Sequence, residues 1–118
     1  MQSRLAVLLE GGYHERGVPL PAIARVAAET PARRFRIRGK GEIAVGFDAD
    51  LTLVDLGRTT TLSAQDLQQR HPMSPYLGYT FRGAVTRTLL RGQTIFRDGA
   101  IVASNPGHFI RPHTQEPL

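Results

Sequence analysis

The stretch Gly39-Lys40-Gly41-Glu42-Ile43-Ala44-Val45-Gly46-Phe47-Asp48-Ala49-Asp50-Leu51 decides the fold, because the character of the chain changes across it. Gly39-Lys40-Gly41 reads as a flexible turn. Ile43–Val45 is short, apolar and partly β-branched, which predicts a strand. Gly46-Phe47-Asp48-Ala49 predicts a second turn, and Asp50–Asp55, with Leu51, Leu53 and Val54, a stronger strand. Before this stretch the apolar residues recur at helical spacing. After it, short β-rich segments alternate with turn residues.

Working backwards, Leu5, Leu8 and Leu9 mark a helix that the pair Gly11-Gly12 is expected to stop. Gly17-Val18-Pro19-Leu20-Pro21 is a connector, and Pro21 suits the first turn of a second helix. Ile23, Val26 and Ala27 form that helix's apolar stripe. Thr30-Pro31 is expected to end it and to start another turn, with Thr30 as the cap. Phe35 and Ile37 would bury the end of that turn.

Working forwards, Thr59–Leu62 predicts a further strand. Ser63-Ala64-Gln65-Asp66 predicts a cap and a short polar helix. His71–Gly78, with two prolines, predicts irregular chain. Ala84–Leu90, Thr94–Phe96 and Ala100–Val102 predict three strands, joined by turns at Arg91-Gly92 and Asp98-Gly99. The second pair is a strong type I′ hairpin signal. The tail from Ser104 holds three prolines and is expected to lie extended over a surface or to fray.

A chain of 118 residues suits one small domain and is far too short for a complete β/α barrel of roughly 250 residues. With no cysteine, disulfides, thiolate metal sites and a cysteine nucleophile are excluded. No apolar run reaches the roughly 18–20 residues of a membrane span, and a cytoplasmic protein without a leader is expected. The formal charge of +5 raises the question of nucleic acid. Yet the arginines are spread along the chain, and the densest group (Arg33, Arg34, Arg36 and Arg38) includes one aromatic, Phe35. A solvated arginine-rich surface is the favoured reading, and neither nucleic acid nor membrane is expected as a partner.

A hydrolytic site needs a nucleophile or metal, a base, and groups that meet developing charge. His14, His71, His108 and His113 stand too far apart for a His-x-His or helical metal pair. Asp48 and Asp50 are the closely spaced carboxylates. On a strand they would share a face that suits a hard cation, whereas in a turn they bond nearby backbone, and the turn role is favoured. Ser74 lacks a nucleophile-elbow context, and Ser63 reads as a cap. The residues alone give a soluble α+β piece with no catalytic, cofactor-binding or metal residues to assign.

Three stretches, the last continued by a strand, carry a resemblance. Thr30-Pro31-Ala32-Arg33-Arg34-Phe35 resembles the Asn-Pro-Ala-x-x-Phe segment of amidohydrolases. Lys40–Leu51 resembles the strand-turn-strand signature of the same superfamily. Leu67–Gly78, with its Arg70-His71 step before Ser74-Pro75-Tyr76, and the strand from Gly83 to Gly92 are most similar to the allantoinase branch, ahead of dihydroorotases and hydantoinases. Thr30 stands where that pattern has Asn, and Arg36 where Gly usually follows the Phe.

The resemblance implies two or three helices from the end of a metal-dependent hydrolase β/α barrel, residues 1–38. Strands of a small C-terminal β-sandwich would follow, residues 39–112, then a tail, residues 113–118. It implies an enzyme that opens a cyclic amide with water activated by a metal pair, usually zinc, whose ligands all precede this stretch of the family pattern. Lys40, in its glycine-flanked turn, does not correspond to the bridging lysine. The chain alone is therefore expected to be inactive. Its expected partners are the missing barrel portion or a second copy, with a homo-oligomer as the full-length form. The alternatives are a fragment of a dihydroorotase or hydantoinase, and a non-catalytic β-rich assembly module.

Overall fold

A computed structural model describes residues 2–104 and 107–113. Two helices pack against each other, and the first of them lies on a four-stranded antiparallel sheet. Helix α1 covers residues 4–16 and passes straight through Gly11-Gly12, which sequence reasoning took as its end. Glycine weakens a helix by about 1 kcal/mol and does not forbid it. Here the turn Leu8–His14 is wound wide, as a π-helix, and Leu9 is buried. The stop is Gly17, at φ +66°. Its N–H donates to the Tyr13 carbonyl (3.1 Å) and that of Val18 to the Gly12 carbonyl (3.0 Å), so the last carbonyls are satisfied.

Helix α2 covers residues 20–34 and opens as expected, with Pro21 in its first turn. Ile23 is buried, but Val26 is 63% exposed, so the predicted stripe holds only in part. Thr30-Pro31 does not break the helix. Thr30 keeps helical angles (φ −61°, ψ −46°) and makes no capping bond. The segment Arg25–Glu29 widens into a second π-type turn just before the proline. Pro31 offers no N–H to the carbonyl of Ala27; instead Arg4 Nη2 donates to that carbonyl at 3.3 Å. The widened turn and the borrowed donor absorb what a proline would otherwise disrupt. Phe35, expected to be buried, is 64% exposed.

The segment Ile43–Val45 forms no strand. Ile43 and Val45 are 90% and 105% exposed, because no described strand lies beside them to complete a ladder. Strand β1, Leu51–Thr61, joins the two strands expected separately at Asp50–Asp55 and Thr59–Leu62. The joint is an irregularity between Asp55 and Thr59, where the Gly57 N–H donates to Asp55 Oδ1 (2.9 Å). Ser63 and Asp66 then bracket the 3₁₀ turn Ala64–Asp66 as expected, Ser63 donating its N–H (2.9 Å) and hydroxyl (2.6 Å) to the carboxylate. The chain from 67 to 79 is irregular, also as expected.

Strand β2, Thr80–Leu90, pairs with β1 from Leu51↔Leu89 to Thr61↔Thr80. Strands β3, Gln93–Arg97, and β4, Ala100–Ile101, complete the order β1-β2-β3-β4. Arg91-Gly92 and Asp98-Gly99 both have positive φ at two successive residues, the geometry of type I′ turns. Leu62, Leu67 and Phe81 form the core, with Ala6 and Val7 of α1 and Tyr76 packed against it. The tail returns to the body at His113, whose N–H donates to the Arg36 carbonyl at 3.0 Å. Residues 114–118 of the expected tail lie outside the described residues.

Candidate functional site

Among the described residues, two hydrogen-bonded ion-pair clusters stand out as tethers. The first is built on the stretch that opened the sequence reading. Asp48 and Asp50 lie close to Lys40 because the turn closes back on itself, the Asp48 N–H donating to the Gly39 carbonyl at 2.9 Å. Lys40 Nζ pairs with Asp48 Oδ2 at 2.6 Å and also with Asp50 Oδ2. The Lys40 side chain is only 14% exposed. Burial pulls its pKa down, but hydrogen bonds and charge from the two carboxylates outweigh burial and raise it. For Asp50, burial pushes upward, while Lys40 and the Arg91 N–H together hold the carboxyl below its ordinary range.

Asp50 also reaches across the molecule. Its Oδ1 accepts the Arg91 N–H (2.8 Å), and the neighbouring Ala49 carbonyl accepts that of Gly92 (2.9 Å). The turn is thereby fastened to the β2–β3 hairpin. The role favoured for Asp48 and Asp50, side chains bonding nearby backbone, is not the one observed: both carboxylates hold the Lys40 ammonium, and the backbone N–H that Asp50 accepts is that of Arg91, 41 positions away. The signal was in the sequence: a lysine between glycines, followed 8 and 10 residues later by aspartates.

The second tether is Glu10 with Arg82. Glu10 Oε1 accepts from Arg82 Nε (2.9 Å) and Nη2, and Oε2 accepts the Arg82 N–H (2.6 Å). The hydrogen bonds from Arg82 lower the Glu10 pKa. This pair ties α1 to β2 across 72 positions of sequence, and nothing local in the sequence announces it. One turn further along α1, the Tyr13 and His14 rings meet edge to face at 4.8 Å, and the buried His14 Nε2 has no hydrogen-bond partner.

The other residues weighed for chemistry stay apart. His71 lies exposed in the 67–78 segment, where its carbonyl accepts from Gln69 Nε2 (2.9 Å). His108 and His113 lie in the exposed tail segment. Ser74 Oγ accepts the Tyr76 N–H at 3.2 Å, a local turn bond. Among the described residues no three of His, Cys, Asp or Glu come together. A metal pair needs several deprotonated donors around a shared centre. The tightest carboxylate pair here already neutralises an ammonium, so these donors do not fit such a pair. What the arrangement can do is hold turns, helix and sheet in one frame.

The matching family model is described as "Amidohydrolase family" and aligns with residues 1–99. The allantoinase of Solibacter usitatus is 51% identical over 112 residues, covering 95% of this chain and 24% of the relative. That of Rubrobacter xylanophilus is 48% identical over 115 residues, covering 98% and 25%. Among solved structures, the L-hydantoinase (dihydropyrimidinase) of Arthrobacter aurescens superposes with a TM-score of 0.78 at 31% identity, covering 84% of this chain and 22% of that one. The dihydropyrimidinase of Brevibacillus agri gives 0.77 at 28%, with the same coverage. The chain thus spans about a quarter of the length of the curated relatives it matches. No described helix is long and apolar enough to cross a membrane.

Proposed function

Because the chain belongs to the amidohydrolase family, we propose that it is the C-terminal part of an allantoinase-like hydrolase, which opens the ring of allantoin to give allantoate. The observation that carries this reading is the 51% identity to an allantoinase over 95% of the chain. The hydantoinase structures stand at 31% and below, which favours allantoin over hydantoins or dihydroorotate. In the reaction, water adds to the ring carbonyl, a C–O bond forms, the C–N bond breaks, and the released nitrogen takes a proton. The metal pair, zinc in this reading, would supply the activated water and belongs to the barrel-bearing portion.

The contribution of this chain is scaffold. Residues 1–38 would complete the outer ring of the barrel, and residues 39–112 would form part of a β-sandwich. The exposed Ile43 and Val45 support this, being β-branched residues with no described strand beside them. The segment 67–78 would contribute to contacts between subunits of a homo-oligomer in the cytoplasm.

Complementation tests the reading. The purified chain with zinc and allantoin should show no turnover. Co-expression with the Solibacter usitatus allantoinase lacking its matching final quarter should restore hydrolysis that a chelator abolishes. Turnover by the chain alone, or failure of the chain to restore hydrolysis in that complex, would overturn it.

A further inference from the structure

An open groove of about 740 Å³ lies at the C-terminal end of α2, lined by Arg25, Glu29, Thr30, Arg33, Arg34 and Arg36. Four arginines line it beside Glu29, and Glu42 reaches Arg33 from outside the lining at 3.8 Å, which leaves a local charge of +2. Glu29 is engaged by Arg33 at 3.1 Å and by Arg25 at 3.9 Å. The side chains of Arg34 and Arg36 have no partner among the described residues. Arg33 and Arg34 sit in the last helical turn, where positive charge complements the helix dipole. That account does not reach Arg36, which lies beyond the helix.

Arg36 occupies a costly position. Its N–H donates to the Arg33 carbonyl (3.1 Å) and the Ile37 N–H to that of Ala32 (2.8 Å), which together make a Schellman ending. The residue at Arg36's place in that motif is usually glycine, because φ must be positive, and Arg36 stands at φ +53°. A strained arginine persists where the surroundings hold it, and the His113 N–H on the Arg36 carbonyl is one such hold. Strain, a free guanidinium and a positive groove meet at one residue.

We propose that this groove binds a small molecule carrying two or more oxyanion groups, gripped by the forks of Arg34 and Arg36. A guanidinium presents paired N–H donors that match a phosphate or carboxylate in a bidentate fit. Phosphate and carboxylate ligands share this chemistry, so inorganic pyrophosphate and citrate serve as separate probes.

The test is calorimetric titration of the full 118-residue chain and its variants. Arg36→Gly removes the guanidinium and relieves the backbone, so its melting temperature should rise while binding falls about tenfold. Arg34→Ala combined with Arg36→Gly should abolish binding. Arg58→Ala, removing an exposed arginine of the sheet, should leave it unchanged. Saturable binding of either anion with this pattern supports the site and tells phosphate from carboxylate. The proposal fails if neither anion binds, if Arg36→Gly binds like the parent, or if Arg58→Ala weakens binding equally. Should the isolated chain show no cooperative melt, the complex with the barrel-bearing portion is titrated against the same criteria.

Discussion

Lys40 is the residue whose loss should be felt most. Its ammonium lies between Asp48 and Asp50, so Lys40→Met leaves two carboxylates facing each other and should cost about 1–3 kcal/mol at pH 7. The pH dependence follows from the two shifts. Asp50 is held below its ordinary pKa, so its contribution is present above about pH 4 and is lost as pH falls through the folded value. Lys40 is held above its own, so its contribution is present below about pH 10 and is lost as pH rises through the folded value. Urea unfolding of parent and variant at pH 2, 7 and 11 should show the largest difference at pH 7. A difference that stays constant across the range would mean that the charge pairing of Lys40 with its aspartates does not set the effect.

Among the elements, α2 offers the sharpest case. Arg4 supplies the donor that Pro31 cannot give to the Ala27 carbonyl. Arg4→Ala should therefore cost about 1 kcal/mol in the parent and less in a Pro31→Ala background, where an alanine N–H can take over. A double-mutant cycle by chemical denaturation measures the difference, and strict additivity would detach the arginine from the proline. The same helix shows which signals a sequence carries. Pro21 at a helix start and Asp98-Gly99 at a hairpin are legible because each is decided by the angles its own residues prefer. Gly11-Gly12 misled because packing of α1 on the sheet, through Leu9, outweighs local propensity, and Thr30-Pro31 because a widened turn accommodates the proline within α2. The predicted strand at Ile43–Val45 is absent for the converse reason, since a β segment needs a neighbour that propensity does not supply. Of the two tethers, Lys40 with its aspartates was readable within one short stretch, whereas Glu10 and Arg82 meet only once the fold has formed.

Taken whole, the molecule is loosely enclosed. Its accessible surface is 9051 Å², against about 6,300 Å² for a compact monomer of 13.0 kDa. Among the described residues, the seven buried hydrophobic ones retain between 4% and 9% exposure, so the core is thin. The outer edge of β1, across from β2, is unpaired among the described residues for 11 positions and invites another strand. Sedimentation of the isolated chain should show self-association or a broad, weakly cooperative melt, and co-expression with a barrel-bearing portion should sharpen it. A compact monomer with a sharp transition would show that the thin core suffices.

The fastening of Asp50 to the Arg91 N–H has a kinetic consequence. The two residues lie 41 positions apart, and the chain between them includes all of β1 and β2. The β2–β3 hairpin closes through neighbours a few residues apart and can form early, whereas this contact must wait until the long excursion has been threaded home. A bond made after the rate-limiting barrier holds the native state without hurrying its arrival. In stopped-flow experiments, Asp50→Asn should steepen the escape from the native state and leave the refolding arm of the chevron where it was. The contact would then act as a bolt, shot only after the door has closed.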